Sequence, residues 1–268
     1  MSVLLETKQL NKTYVLGKQN EVNVLKDVDL KIMRGEFVSV MGPSGSGKST
    51  LLYNICGMDK MTDGSVLFNE KELSRLTEKE LSALRLNEMG FIFQQINLLK
   101  NLSILDNIIL SGYLAHNRHR GTAKKKIANK KVVEKRAVDL MKKTGIAELA
   151  GNDISQASGG QLQRVGICRA LINQPDIIFG DEPTGALNSK SSDEIMELLA
   201  GVNRGGTTVM LVTHDVKVAA KTERVLFMMD GRIVAEKHMG KYSENGDNGE
   251  SIKAREERLS SWLLELGF

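Results

Sequence analysis

"GPSGSGKST", residues 42–50, follows the apolar run "GEFVSVM" and runs into the pair Leu51 and Leu52. Glycine costs about 1 kcal/mol against alanine inside a helix, so three glycines in six positions serve another purpose than helix stability. The spacing is G-x-x-x-x-G-K-[ST], with Gly42, Gly47, Lys48 and Ser49 in the fixed places, after a strand-like run and before helical spacing. In such a loop the backbone N–H groups, with those of the helix start behind them, converge into a nest for phosphate oxygens. Gly45 and Gly47 allow close approach and unusual dihedrals. Lys48 reaches β- and γ-phosphates, the Ser49 hydroxyl ligates Mg²⁺, and Ser44 and Thr50 belong to the same cradle. A glycine-rich turn that binds nothing is the alternative.

The rest of the chain has room to build a domain around that loop. Its 268 residues suit one large domain, or one domain with a tail. With 41% apolar residues it can form a core without disulfides or metals. The net charge of +4 is too small to point to nucleic acid, and no nucleic-acid partner is expected. Cys56 and Cys168 lie far apart among apolar neighbours, with no CxxC spacing, and read as buried thiols of a reducing compartment. The start, "MSVLLETKQLNKTY", lacks a basic stretch followed by a long apolar run, so no signal peptide is expected. No apolar run approaches the roughly 20 residues that cross a bilayer. The chain is expected in the cytosol, or held at a membrane by another protein.

Texture along the chain alternates between strand and helix. Residues 3–40 read as strands, "STLLYNICGM" as a helix, "GSVLFNEKEL" as a short strand and turn, and 78–88 as a short helix before the strand "GFIFQ". From about 103 to 175 the texture is helical, broken at "GYLAHNRHRGT" (112–122) and "GIAELAGNDIS" (145–155). Strands return at "DIIFGDE" and "TTVMLVTHD", with an amphipathic stretch at 189–202 between them. "RVLFMMDGRIVAEK" reads as a hairpin turning at Asp230–Gly231. The pattern is an α/β core interrupted by a helical insertion.

Two further motifs belong with the glycine loop. "DIIFGDE" (176–182) ends an apolar strand on Asp181, which places a carboxylate at the sheet edge where Mg²⁺ would lie beside Ser49. Glu182, one residue on, can accept a proton from a water attacking a γ-phosphate. Gly180 before them is less apolar than a strand interior usually is. In "QASGGQLQRVGICRAL" (156–171), Ser158, Gly159 and Gly160 open a helix and form a second phosphate-sized nest, or simply cap it.

"SGGQ" followed by "QR", ahead of a strand ending in "DEPT", resembles the signature motif of ABC-type ATPases. In that family two such domains face head to tail, and the signature of one closes over the ATP on the other's phosphate loop. The usual leading leucine is Ala157 here. The resemblance implies further residues, and each has a match: Gln94 after "GFIF" for Mg²⁺ and the attacking water, His214 in "VMLVTHD" near the γ-phosphate, and Tyr14 in "NKTYV" stacking on adenine. It makes Glu182, His214 and Gln94 the catalytic group and gives Mg²⁺ to Ser49, Gln94 and Asp181. It adds Ser158, Gly159, Gly160 and Gln161 to the nucleotide set. The implied fold is an α/β P-loop NTPase of ABC ATPase type, with an antiparallel β subdomain, a RecA-like core and an inserted helical subdomain. The expected domain is 1–238, with the helical subdomain at about 96–172, a linker at 239–250 and a helical extension at 251–268. Where the family usually has Asp after "DEPTGAL", this chain has Asn188, which keeps the hydrogen-bonding shape and loses the charge.

The implied partners are a second copy of the chain and a transmembrane permease at the cytoplasmic face of the membrane. "FIFQQINLLKNLSILDNI" and "DEPTGALNSKSSDEIMELL" look like the branch that handles lipoproteins, macrolides and antimicrobial peptides. "GEFVSVMGPSGSGKSTLL" and the tail beyond 236 are similar to bacitracin- and lantibiotic-type peptide-resistance transporters, many of which also serve a sensor kinase. Macrolide or lipoprotein export, and signalling without transport, remain alternatives. The permease's coupling helix would meet an apolar cleft at Leu98, Leu99 and Leu102, unless these leucines are ordinary core. Residues 118–136 carry nine Lys or Arg against one Glu, a solvated face or a contact for anionic lipid. Trp262, Leu263, Leu264 and Leu266 end a charged helix that could dock on its own core, on a second copy or on the permease, with docking in the dimer the expectation.

Overall fold

Alternation in residues 3–33 resolves into two long antiparallel strands, β1 (Val3–Leu16) and β2 (Asn20–Met33), whose pairing slips register several times. The computed structural model describes residues 2–17, 20–117, 123–242 and 251–268. They fall into two units, Met1–Leu81 with Leu199–Phe268, and Ser82–Leu198.

In the first unit, β3 (Phe37–Met41) is buried along its whole length and leads through the glycine loop into α1 (Lys48–Ile55). β4 (Asp63–Phe68) and β5 (Lys71–Glu72) complete a four-stranded sheet ordered β2-β1-β4-β5. Helix α2 (Glu78–Glu88) then carries the chain into the second unit. There β6 (Met89–Phe93), α3 (Ile104–Asn117), α4 (Ala123–Lys143), α5 (Gly159–Leu171) and β7 (Ile177–Asp181) follow, with β6 and β7 parallel. Helix α6 (Ser189–Arg204) returns the chain to the first unit. β8 (Thr208–Val212), α7 (Val216–Ala219), β9 (Arg224–Met229), β10 (Arg232–His238) and α8 (Ile252–Glu265) finish it.

β3 pairs in parallel with β8 on one side and β9 on the other, and β10 turns back antiparallel to β9. The sequence explains this order. "FVSVM" and "TVMLV" are continuous runs buried at every position, as central parallel strands must be. β10 alternates exposed and half-buried residues, the pattern of an edge strand.

Of the stretch 112–122 where a break is expected, residues 112–117 are helical and 118–122 lie outside the described residues. α3 continues through Asn117, and Gly112 sits inside it because α4 comes close: a Cβ there would lie 2.5 Å from Val133 Cγ1. Residues 118–122 of the basic run lie outside the described residues. Among the described ones, Lys130 covers the Tyr113 ring and Arg136 donates to the Ile172 carbonyl. The linker expected over 239–250 also falls largely outside them, at 243–250.

The buried face of the tail helix docks on its own unit, the first of the three alternatives. α8 buries Arg255, Leu259 and Leu263, four residues apart on one face. They pack with Met41, Ala219, Ala220 and Phe227, while Trp262 and Phe268 meet the Phe227 ring edge-on. Leu264, on the other face, is 72% exposed. Leu263→Ala should therefore cost about 2–3 kcal/mol by leaving a cavity, whereas Leu264→Ala should stay within about 0.5 kcal/mol. Denaturant unfolding of the two variants checks the difference, and equal losses would contradict this docking.

Candidate active site

The glycine loop is held open by backbone geometry. Gly47 is the N-cap of α1 with φ +99°, and no side chain caps the helix or adds an acid to its first turn. The helix N-terminus therefore turns its positive partial charge toward the loop's interior, with no side chain of the cap to offset it. The Lys48 ammonium lies across the loop and donates to the carbonyls of Gly42 and Pro43 at 2.8 Å each. The buried Ser46 hydroxyl oxygen has no hydrogen-bond partner among the described residues.

Close approach here is to protein. A Cβ on Gly42 would sit 2.0 Å from the Met228 carbonyl oxygen. One on Gly47 would lie 3.0 Å from the Val24 oxygen. Gly45, expected to serve close approach, has φ +81° and no protein atom within 4 Å of such a Cβ. The outer wall is the β9–β10 turn: Gly231 donates its N–H to Ser46 O at 3.1 Å and accepts from Lys26 N at 2.9 Å.

Two other expected residues stand beside this loop. Tyr14, 37% exposed, donates its hydroxyl to Asp59 Oδ2 at 2.6 Å, and the Lys12 ammonium lies 4.5 Å from its ring centre. Burial, then the hydrogen bond and charge of Asp59, raise the phenol's pKa, while the nearby Thr50 side chain lowers it. Tyr14 and Thr50 of the loop are thus neighbours. His214 leaves the sheet next to the loop for a topological reason. Val40 pairs with Val212, and Thr213 N–H donates to Val40 O at 3.1 Å, so both strands release their loops at one edge.

In the second unit a parallel register does the same. Phe93 pairs with Asp181 at the ends of β6 and β7, so Gln94 and Glu182 emerge side by side. Both face Gly185: a Cβ there would be 2.9 Å from Gln94 Nε2 and 3.5 Å from Glu182 Cβ. Glu182 has φ +47°, a left-handed backbone in which a non-glycine residue is costly, and such costs gather at functional sites. The chain after Gln94 is fixed by Arg169 of α5, which donates to Ile96 O at 2.7 Å and Asn97 O at 3.0 Å. Leu98 is half-buried and packs against the core of this unit, whereas Leu99 is 48% exposed.

Ser158 caps α5 in a capping box: its hydroxyl accepts from Gln161 N, and the Gln161 side chain accepts from Ser158 N. Gly160 packs on α6, where a Cβ would come 3.2 Å from Ser191 Oγ. Asn188 caps α6 through Oδ1 to Ser191 N at 2.9 Å, a task Asn and Asp perform equally well. Sequence reasoning missed this role of Asn188, along with Arg169 and Gly185. The signal for Asn188 was present, an Asn three residues ahead of a helical run. Nothing marks Arg169 until α5 is seen to pack beside residues 96–97.

The ABC transporter family matches residues 25–185, more than half of the chain. The chain belongs to the ABC transporter family. This ABC cassette is 41% identical over 266 residues to the macrolide export ATP-binding/permease protein MacB of Hahella chejuensis. That match takes in 97% of the cassette and 39% of the relative, so the chain spans about two fifths of that protein. It is 40% identical over 238 residues to the bacitracin export ATP-binding protein BceA of Halalkalibacterium halodurans, covering 88% of the cassette and 89% of the relative. Its structure superposes with a TM-score of 0.77, at 40% identity, on the dimeric ATP-binding cassette MJ0796 in a post-hydrolysis state bound to ADP and Pi. The overlap covers 89% of this chain and all of that one, and MJ0796 comes from Methanocaldococcus jannaschii. The fold is thus the α/β P-loop ABC ATPase fold, with an antiparallel sheet and a mixed one. The near-equal identities place the cassette in the export-type branch that MacB and BceA share. Among the described residues no helix is long and apolar enough to cross a membrane, and no three His, Cys, Asp or Glu cluster as metal ligands.

Proposed function

We propose that this cassette is the ATP-binding and hydrolysing motor subunit of a membrane ABC transporter serving antimicrobial-peptide resistance or export. The observation that carries the reading is the open phosphate cradle: the uncapped α1 N-terminus, Lys48 folded over the loop and the orphaned Ser46 hydroxyl. An anion with several oxygens answers all three. Ser44, Gly45, Gly47, Lys48, Ser49 and Thr50 would hold the phosphates, and Tyr14 offers the adenine a ring face.

The donor set Ser49, Gln94 and Asp181 is all oxygen, which suits Mg²⁺. When bound, the ion neutralises charge on the β- and γ-phosphate oxygens. Glu182 then accepts a proton from the attacking water, Gln94 orients that water, and His214 supports the γ-phosphate. Ser158, Gly159, Gly160 and Gln161 are exposed or half-buried and serve the site of a second copy. The working unit is a head-to-tail homodimer under a transmembrane permease at the cytoplasmic face of the membrane.

The test is dilution. Hydrolysis per chain should fall steeply as protein is diluted, while ATP still binds the single chain. A rate independent of concentration, from a chain shown to be monomeric, would exclude the shared site. The peptide cargo rests on likeness to the bacitracin exporter, and a permease that serves a sensor kinase would fit it. The comparable likeness to MacB favours macrolide-type export as the second reading. A neighbouring gene for a ten-span permease with a large external domain supports peptide resistance. A four-span permease with a periplasmic adaptor supports macrolide export, and one tied to cell-wall hydrolases supports signalling without transport.

A further inference from the structure

We propose that Arg255, on the C-terminal helix, is a positioning residue for His214, acting through the short helix that follows that histidine. The inference rests on the reading of His214 as a residue of the ATPase site and adds what holds it there.

α7 begins two residues after His214 and is only four residues long, N-capped by Asp215, whose carboxylate accepts from Lys217 N–H at 2.8 Å. So short a helix has little stability of its own. Its seat comes from what surrounds its far end. Ala219 and Ala220 are fully buried against Leu259 and Leu263 of α8.

Arg255, 4% exposed, reaches beneath that end. Its Nε donates to Ala220 O at 2.8 Å and its Nη1 to Met239 O at 2.8 Å. Nη2 donates to Thr222 O and Gly240 O, at 2.9 Å each. Met239 and Gly240 in turn donate their N–H groups to Glu223 O. One planar guanidinium thus ties residues 220–222 to 239–240. Lysine, a point charge with three rotatable donors, cannot reproduce that fork. The Thr222 hydroxyl bonds Ala219 O at 2.7 Å and Ser39 Oγ at 2.9 Å, so the same knot also touches β3, the strand that feeds the phosphate loop. A buried charge engaged by four carbonyls holds its position rigidly, because moving any carbonyl leaves part of it unpaired.

The experiment measures steady-state ATPase kinetics of the full chain as Arg255→Ala, Arg255→Lys, His214→Ala and the double variant Arg255→Ala/His214→Ala. Arg255→Ala should lower kcat about tenfold with the KM for ATP within about twofold, and Arg255→Lys should recover only part. The double variant should be no slower than His214→Ala alone, because the arginine acts through the histidine. If the two losses multiply instead, or if Arg255→Ala keeps its kcat while only its melting temperature falls, Arg255 is merely structural and the inference fails. A His214→Ala variant at normal rate overturns the reading of His214 itself. Should Arg255→Ala not fold, Arg255→Lys is followed by the His214 imidazole signal in NMR, assigned by its loss in His214→Ala. A folded Arg255→Lys with that signal unmoved also overturns the inference.

Discussion

Glu182→Gln is expected to bind ATP with wild-type affinity and to hydrolyse it at least ~10²-fold more slowly, the scale of losing a general base. Glutamine has the same length and can follow the same backbone, so the left-handed conformation at φ +47° and the packing against Gly185 should survive. What goes is the proton acceptor. The Phe93–Asp181 register still brings Gln94 alongside, so an attacking water would be oriented but not deprotonated. ATP that binds and is not consumed should hold two copies together. Phosphate release at saturating ATP measures the rate, and size-exclusion chromatography with ATP detects the dimer. A variant turning over at the normal rate would remove Glu182 from its assigned role.

Gly42→Ala should be nearly as damaging by a different route. Its Cβ would lie 2.0 Å from the Met228 carbonyl oxygen and 3.0 Å from both the Met228 carbonyl carbon and Ser46 Oγ, at φ +148°. β3 and β9 are parallel ladder partners up to Met41 and Phe227, so neither chain can retreat without breaking sheet hydrogen bonds. A loss of about 2–4 kcal/mol follows from such a main-chain collision, together with at least ~10-fold weaker ATP binding as the nest opens. Gly45→Ala, with open space at its Cβ, faces only the backbone preference at φ +81° and should cost about 1 kcal/mol. Denaturant unfolding and nucleotide titration of the pair separate the two mechanisms. A Gly42→Ala protein that binds ATP normally would show that the loop does not need this contact.

Local signals were legible where one residue type has one physical job. Helix α2 falls on the stretch 78–88 read from its charges and leucines, and the Asp230–Gly231 turn sits where a hairpin turn was expected. The glycine loop was legible because few other patterns need glycine and lysine at that spacing. Contacts across distant sequence were not. The stretch read as a break starts at Gly112, because nothing nearby announces Val133, the neighbour this glycine makes room for inside α3. Arg255 looked like one more charge in a charged helix, yet four carbonyls from two other segments make it a core residue. Leu98 and Leu99 are adjacent and chemically identical, and only tertiary packing makes the first half-buried and the second exposed.

The brace around the phosphate loop sets an order of events in folding. Gly231 bonds Ser46 and Lys26, and Met228 faces Gly42, so the loop's wall lies some 180 residues downstream of the loop itself. On the ribosome, residues 42–50 emerge early and must wait for the β9–β10 turn before their cradle has a back. Nucleotide therefore cannot template the first half of the chain, and a fragment ending at residue 185 keeps most of the motifs yet lacks the wall that shapes the first of them.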